Sequence, residues 1–155
     1  MVNILQVSGN FNSDTDRAAL LAAVPVVAPQ VDMITEIQAK QWLRIKAKRD
    51  LLISSGGYKV VVGGLDKWFH SDTFSRSQQL GLVLLGANVP AIPWKTMDGT
   101  FVTLAPAIVQ QIFSACATSD AAIFAVAEAH KTNMLASADP AGYNIATGWP
   151  VTFLG

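Results

Sequence analysis

Charged side chains are scarce in this 155-residue chain. Lys, Arg, Asp and Glu together make up 14% of it, whereas hydrophobic residues reach 51%; a typical soluble domain is about 25% charged. The formal net charge is zero, so the chain lacks the positive field by which nucleic-acid-binding proteins attract phosphate. Because a small domain leaves much of its surface exposed, so apolar a composition indicates a homo-oligomer or a larger assembly.

Cysteine and histidine are almost absent. A single cysteine, Cys116, excludes an internal disulfide, and its apolar neighbours predict a small, partly buried side chain. Glu128 and His130 are two positions apart on a predicted helix and therefore face different sides, whereas a helical metal site uses a spacing of three or four. The 11 carboxylates show no EF-hand spacing. We predict no metal, no cofactor and no catalytic residue.

An uncharged run covers residues 18–31, but Pro25 and Pro29 interrupt it, and acidic residues precede it where a signal peptide would carry basic ones. The run is also shorter than the ~20 apolar residues of a membrane span. We therefore expect a protein that is made and kept in the cytoplasm until assembly, has no membrane role and binds no nucleic acid.

The order of local signals predicts an α+β fold. Helices alternate with two β-hairpins and end in a helical pair, with extended N- and C-terminal arms. The first helix covers residues 34–54 and ends at Ser54-Ser55-Gly56-Gly57. In the first hairpin, "YKVVV" and "DKWFH" flank Gly63-Gly64, and in the second, "IPWKTMDGTFVTL", Asp98-Gly99 is the two-residue turn.

The remaining helices have their own start and stop signals. "TFSRSQQLGLVLLG" is a helix that Gly86 or Asn88 can end, Pro106 fits the first turn of the next, and Ser119 or Asp120 caps the last. The predicted organisation is an N-terminal arm or small docking segment at 1–32, an α+β domain at 33–136 and an apolar C-terminal tail at 137–155. That tail has too little charge for a disordered linker and is expected to dock.

His70, Ser71 and Asp72 are three residue types that can carry catalysis. A catalytic triad needs its groups within hydrogen-bond reach, but adjacent residues at a strand end point to opposite faces. Ser71 and Asp72 also precede a helical stretch, where both are good N-cap residues. We therefore predict a capped hairpin end and no active site.

Three further features favour structural or solvent-facing roles over binding sites. Arg76 stands near the start of an otherwise apolar helix, where the dipole does not help a positive charge; it is expected to pair with Asp66, Asp72 or Asp98 and pin a hairpin to the helix. Tryptophan could form a sugar-stacking platform, but Trp68 and Trp94 lie on hairpins, where cross-strand packing is the default. The basic residues of segment 40–49 point in several directions and favour a solvated helix face over a phosphate site.

Residues 47–135 resemble an uncharacterised domain family found in phage and prophage tail-region proteins, and "YNIATGWP" around Trp149 is similar to the close of proteins encoded near tail fibres. The residues that carry the first resemblance are Arg49, Asp50, Gly63, Phe69, Asp72, Arg76, Gly81, Trp94, Asp98, Gly99 and Lys131. The resemblance does not extend to residues 1–32.

The resemblance implies a non-enzymatic virion protein, a structural or adaptor component of the tail, baseplate or tail fibre. Its partners would be other tail, baseplate or fibre proteins, and apolar terminal arms would hold it in several copies. A tail-fibre assembly chaperone, absent from the mature particle, is the alternative. A small carbohydrate-binding module that uses the tryptophans is the second.

Overall fold

The computed structural model describes residues 30–153 of the chain, with side chains from residue 33 onwards. Its elements are α1 (Gln30–Ser55), β1 (Tyr58–Val62), β2 (Leu65–Phe69), α2 (Thr73–Leu85), a 3-10 turn (Gly86–Asn88), β3 (Ile92–Lys95), β4 (Phe101–Leu104) and α3 (Pro106–Ala136). The α+β class is confirmed. α1 begins at Gln30, earlier than predicted, and residues 1–29 of the predicted N-terminal arm lie outside the described residues.

α3 is one continuous helix of 31 residues, so the predicted helical pair is wrong. No glycine or proline follows Pro106 before the helix ends, and Ser119-Asp120 does not interrupt its hydrogen bonding. The side chain of Asp120 binds Arg76 and caps nothing. One face of α3 is buried along the helix. The buried positions are three or four residues apart, except for one step of eleven residues, which is about three turns. They are Val109, Ile112, Ile123, Ala127, His130 and Met134.

The first hairpin agrees with its prediction. β1 and β2 pair antiparallel with Tyr58 opposite Phe69 and Val62 opposite Leu65. The connecting Gly63 and Gly64 have φ angles of 60° and 79°, the left-handed region that a two-residue turn of a twisted hairpin requires.

The second hairpin pairs Ile92 with Leu104 and Lys95 with Phe101, but its predicted two-residue turn is wrong. Gly99 N–H donates to the Thr96 carbonyl at 3.0 Å, and Thr96 N–H donates to the Thr100 carbonyl at 2.9 Å. Three residues therefore form the loop, with Gly99 at φ 82° in the left-handed position. This is a type I turn followed by a glycine bulge, a common three-residue hairpin.

The main core lies where both hairpins and α2 pack on the N-terminal half of α3. Full burial of each large apolar side chain there stabilises the fold by about 1.5–3 kcal/mol. The buried members are Tyr58, Val60, Phe69, Val89, Leu104, Val109 and Ile112.

A smaller second cluster joins α1, the C-terminal half of α3 and the tail. Ile45, Ala127 and Met134 are completely buried, and Tyr143 and Trp149 of the tail pack against them with Trp42 and Ile145. The described part of the tail, residues 137–153, thus lies on helices of its own chain.

α3 is also long and apolar enough to cross a membrane, judged by length and composition alone. The core helix of a soluble protein meets the same criterion. Here the buried face of α3 contributes to both apolar clusters.

Candidate functional site

The most connected polar side chain is Arg76, four residues after the Asp72 cap of α2. Its guanidinium donates to both carboxylate oxygens of Asp120 on α3, at 2.6 and 2.9 Å. It also donates to the Ser71 carbonyl at 2.6 Å and to the Ile53 carbonyl of α1 at 2.9 Å. One side chain therefore connects three helices, and the two-point contact with the carboxylate is the strongest geometry available to arginine.

Arg76 does pin elements together, but its predicted partners are wrong. Asp66 pairs with Lys59, Asp98 pairs with Lys67, and Asp72 caps α2. The true partner, Asp120, is 44 positions away. Its side chain lies on the core-facing side of α3, and an acidic residue on that largely apolar face is the signal that could have identified it.

Three side chains surround this ion pair: Cys116, Tyr58 and Gln79. Arg76 Nη1 lies 3.0 Å from the Cys116 sulfur, and the guanidinium carbon stands 5.8 Å from the centre of the Tyr58 ring. The Tyr58 hydroxyl donates to Gln79 Oε1, and Gln79 Nε2 donates to the His70 carbonyl at 3.1 Å. We call these five residues, with Asp120 and Arg76 at the centre, the Arg76 cluster.

The electrostatics of the Arg76 cluster favour a structural role. Burial raises the pKa of the Cys116 thiol and of the Tyr58 hydroxyl, so both stay protonated at neutral pH. The hydrogen bonds to Asp120 raise the pKa of Arg76 further. A protonated thiol is a poor nucleophile, and the arginine charge that could activate it is already paired. The cluster binds three helices together without an activated group.

The stretch His70-Ser71-Asp72 is the predicted capped hairpin end. Asp72 accepts from the Ser75 N–H at 2.9 Å and from the Ser75 hydroxyl at 2.6 Å, and these bonds lower the Asp72 pKa. The Ser71 hydroxyl accepts from the Gly57 N–H at 3.0 Å instead. Asp72 thus caps α2, whereas the Ser71 side chain binds the backbone between α1 and β1.

Asp98 joins the two hairpins. Its carboxylate accepts from Lys67 Nζ of β2 at 2.9 Å and from the Thr100 N–H at 3.0 Å, and it also bonds the hydroxyls of Thr96 and Thr100. Beside it, the Met97 N–H donates to the Trp68 carbonyl at 2.8 Å. The two hairpins form separate two-stranded sheets, and this loop connects them.

These bonds predict how acid affects the loop. The donors, the Thr96 hydroxyl first among them, lower the Asp98 pKa. A carboxylate whose pKa in the folded state is lower than its unfolded pKa of about 3.9 stabilises the fold at pH values above about 3.9. This stabilisation is lost as the pH falls from that value through the folded pKa. Wild type should therefore exceed Asp98→Asn in melting temperature at pH 7, and the difference should shrink towards pH 2. A constant difference from pH 7 to pH 2 would contradict the prediction.

His130 is a site that the sequence did not reveal. Its Nε2 lies 2.9 Å from the Thr147 carbonyl and its Nδ1 3.0 Å from the Tyr143 hydroxyl. Because a carbonyl only accepts, Nε2 carries a proton, and in the neutral ring Nδ1 then accepts from Tyr143. The Trp149 ring stacks on the imidazole at 5.1 Å between centroids. Both nitrogens bind the tail, so His130 holds residues 137–153 to α3, while Gln41 of α1 donates to the Ala141 carbonyl at 2.7 Å.

The tryptophans named in the sequence analysis pack on other groups of the chain. Trp68 contacts Phe153 edge to face at 6.2 Å, and Trp94 is half-buried against the main core. Trp149 stacks on His130. These contacts do not favour a sugar-stacking platform.

The basic segment of α1 is divided among several neighbours. Lys46 lies over the Trp42 ring at 5.7 Å, and Arg49 lies over the Phe124 ring at 4.9 Å while pairing with Asp50. Across residues 33–153, no group of three or more His, Cys, Asp or Glu side chains is arranged to hold a metal ion.

These features define a class of small α+β domain in which an arginine-centred cluster and a histidine-held tail stabilise the fold. The chain belongs to the family described as "Domain of unknown function (DUF4376)", whose model matches residues 36–147. The match includes the Arg76 cluster, Asp98 and His130. Searches of curated proteins and of solved structures found no match to this chain.

Proposed function

We propose that this protein is a non-enzymatic bacteriophage virion protein, a structural or adaptor component of the tail, baseplate or tail fibre. The observation that carries the proposal is the poor coverage of α3. Only 17% of its most apolar 18-residue window is buried. Large apolar side chains left exposed along a helix mark a surface that a partner in an assembly would cover.

The uncovered side of α3 is regular. Phe113, Phe124 and Leu135 are 45%, 47% and 48% exposed and follow one another at eleven residues. Eleven residues complete about three turns, so these side chains lie along one side of the helix. This stripe, whose Phe124 ring is partly covered by Arg49, suits packing against another protein in an assembly, where Phe side chains are common contact residues.

The connection to a phage tail comes from the sequence resemblance, and the geometry of its carriers is consistent with it. Asp72, Arg76, Asp98 and Gly99 form caps, turns and ion pairs. Such residues preserve a rigid shape, as expected for a domain that presents a surface. Because Trp149 is occupied within the chain, we assign the partner contacts to exposed helix faces and no longer to the C-terminal arm.

Quantitative mass spectrometry of purified, intact particles tests this proposal. Several copies per particle are expected. Phe113→Lys, introduced into the phage genome, should reduce the copy number while the isolated protein keeps its melting temperature. Val61→Lys is the matched control, because Val61 is 58% exposed on the side of β1 opposite the buried Tyr58 and Val60.

Absence from wild-type particles, with abundant protein in the infected-cell lysate, would overturn the virion role. The assembly chaperone would then be the better proposal, since a chaperone binds the fibre tightly during folding and is afterwards released.

A further inference from the structure

A second apolar surface lies on α2, apart from the α3 stripe. We propose that it binds the same surface of a second copy of this chain, in a two-fold symmetric dimer. The α2 surface, as we name it, consists of the outward side of α2 and the adjoining edge of the second hairpin. Its members are Phe74, Gln78, Leu80, Gly81, Leu84, Leu85, Pro93, Trp94 and Phe101.

The exposure of these side chains is unusual. Leu84 is 80% exposed and Phe74 is 72% exposed, with Leu80 and Leu85 close to half. Phe74, Gln78, Gly81 and Leu85 follow one another at three or four residues, so they lie on one side of the helix. The opposite side carries Gln79, which is buried. α2 therefore turns an apolar side to solvent with no partner within the described chain.

A shallow groove of about 440 Å³ connects α2 to the hairpin. Phe74 and Gln78 line one wall, and Pro93, Trp94 and Phe101 line the other. Phe101 is 66% exposed. The helix and hairpin members thus form one continuous surface.

The size of this surface fits a dimer. Aromatic side chains bury about 150–250 Å² each, so the exposed parts of these side chains offer on the order of 500 Å² of apolar area. Monomers rarely expose contiguous patches beyond a few hundred Å². A stable interface buries about 800 Å² on each partner, so the polar atoms around these side chains would have to supply the remainder.

The charge distribution selects a second copy as the occupant. The one charged side chain of α2, Arg76, turns inward to Asp120. At the groove, Lys95 is the charged residue among the lining side chains, and His70 lies beside it. A nearly uncharged apolar surface meets its own copy without like-charge repulsion, as a two-fold interface requires. A strongly charged partner would find no complementary charge.

Gly81 supports close approach of a second helix. Glycine inside a helix costs about 1 kcal/mol relative to alanine, and a Cβ added at Gly81 would meet no atom of this chain within 4 Å. Packing within the chain therefore does not require glycine here. A second α2 crossing at Gly81 would use the missing side chain to bring the two backbones close together.

This inference deepens the proposed function, because it assigns the surface through which copies of the chain associate. Its test is the mass of the purified full chain in solution, measured by sedimentation equilibrium across micromolar concentrations. The wild type should be a dimer. Leu84→Glu should raise the dimer dissociation constant at least tenfold, because a carboxylate would be buried without a partner. Leu43→Glu is the matched control, since Leu43 is 60% exposed on α1.

Gly81→Ala provides a second, independent measurement. The added methyl should raise the melting temperature of the monomer through helix propensity while it weakens the dimer by separating the two helices. A monomeric wild type at the highest concentration would overturn the inference, and so would a dimer that Leu43→Glu disrupts and Leu84→Glu does not. If mass spectrometry finds the protein in particles but sedimentation finds a monomer, only the dimer is refuted. If sedimentation finds a dimer but the protein is absent from particles, only the virion role is refuted.

Discussion

Arg76→Ala is expected to lower the free energy of unfolding by about 3 kcal/mol, among the largest effects of any single substitution in this chain. The change leaves the Asp120 carboxylate without its two-point partner and removes the donors to the Ile53 and Ser71 carbonyls. Removing one member of a partly buried pair costs more than the pair contributes, because the remaining charge stays partly desolvated. Urea unfolding followed by circular dichroism measures the change.

Lys59→Ala is the control for the Arg76 experiment. Lys59 and Asp66 form an ion pair at 2.9 Å, but both side chains are about half exposed; the expected loss is below about 1 kcal/mol. Arg76→Lys should recover only part of the loss, since an ammonium group cannot reproduce the planar contact with Asp120 and the two carbonyls. An Arg76→Ala variant as stable as Lys59→Ala would show that the cluster does not hold the helices together.

His130→Ala should release the C-terminal tail and cost about 2–3 kcal/mol. The variant loses the bonds to Tyr143 and Thr147 together with the stacking of Trp149. Each hydrogen bond contributes about 1 kcal/mol, and an aromatic contact adds about 0.5–1.5 kcal/mol. Hydrogen exchange should show faster labelling across residues 137–153, with the first hairpin unchanged.

His70→Ala is the matched histidine control, because His70 is half-buried beside the groove and its carbonyl, which the substitution retains, makes the bond to Gln79. Its tail should exchange as in the wild type. If His130→Ala left the exchange of residues 137–153 unchanged, the tail would have to be held chiefly by its apolar contacts with Ile45 and Met134.

Local signals in the sequence predicted much of the fold. Gly63-Gly64 specified a turn by the backbone angles that only glycine adopts freely, and Asp72 specified a helix start through its own side chain. Pro106 marked the start of α3 in the same way. In each case the physical cause lies within a few residues, so one sequence is sufficient to identify it.

The predictions that failed concern features that depend on distant residues. Asp120 was predicted to cap a helix. The prediction was wrong because its actual bonding partner, Arg76, is 44 positions away, beyond the reach of local reasoning. The same bond explains why α3 continues through Ser119-Asp120, where local reasoning expected a break. His130 offered no pattern at all, since its partners follow 13 and 17 positions later in a segment without regular structure. The Asp98-Gly99 loop was identified as a turn, but its length depends on the strand register.

The second apolar cluster also sets an order of events during synthesis. Trp149 packs on the cluster that contains Ile45. The burial of Ile45 on α1 is therefore complete only after a residue about a hundred positions later has been synthesised. At about 5–20 residues per second, that delay is roughly 5–20 s on the ribosome. The main core, whose last buried member is Ile112, can close well before then. Through that interval the newly made α1 presents an apolar side to its surroundings, and a chaperone or a neighbouring nascent copy would meet it first.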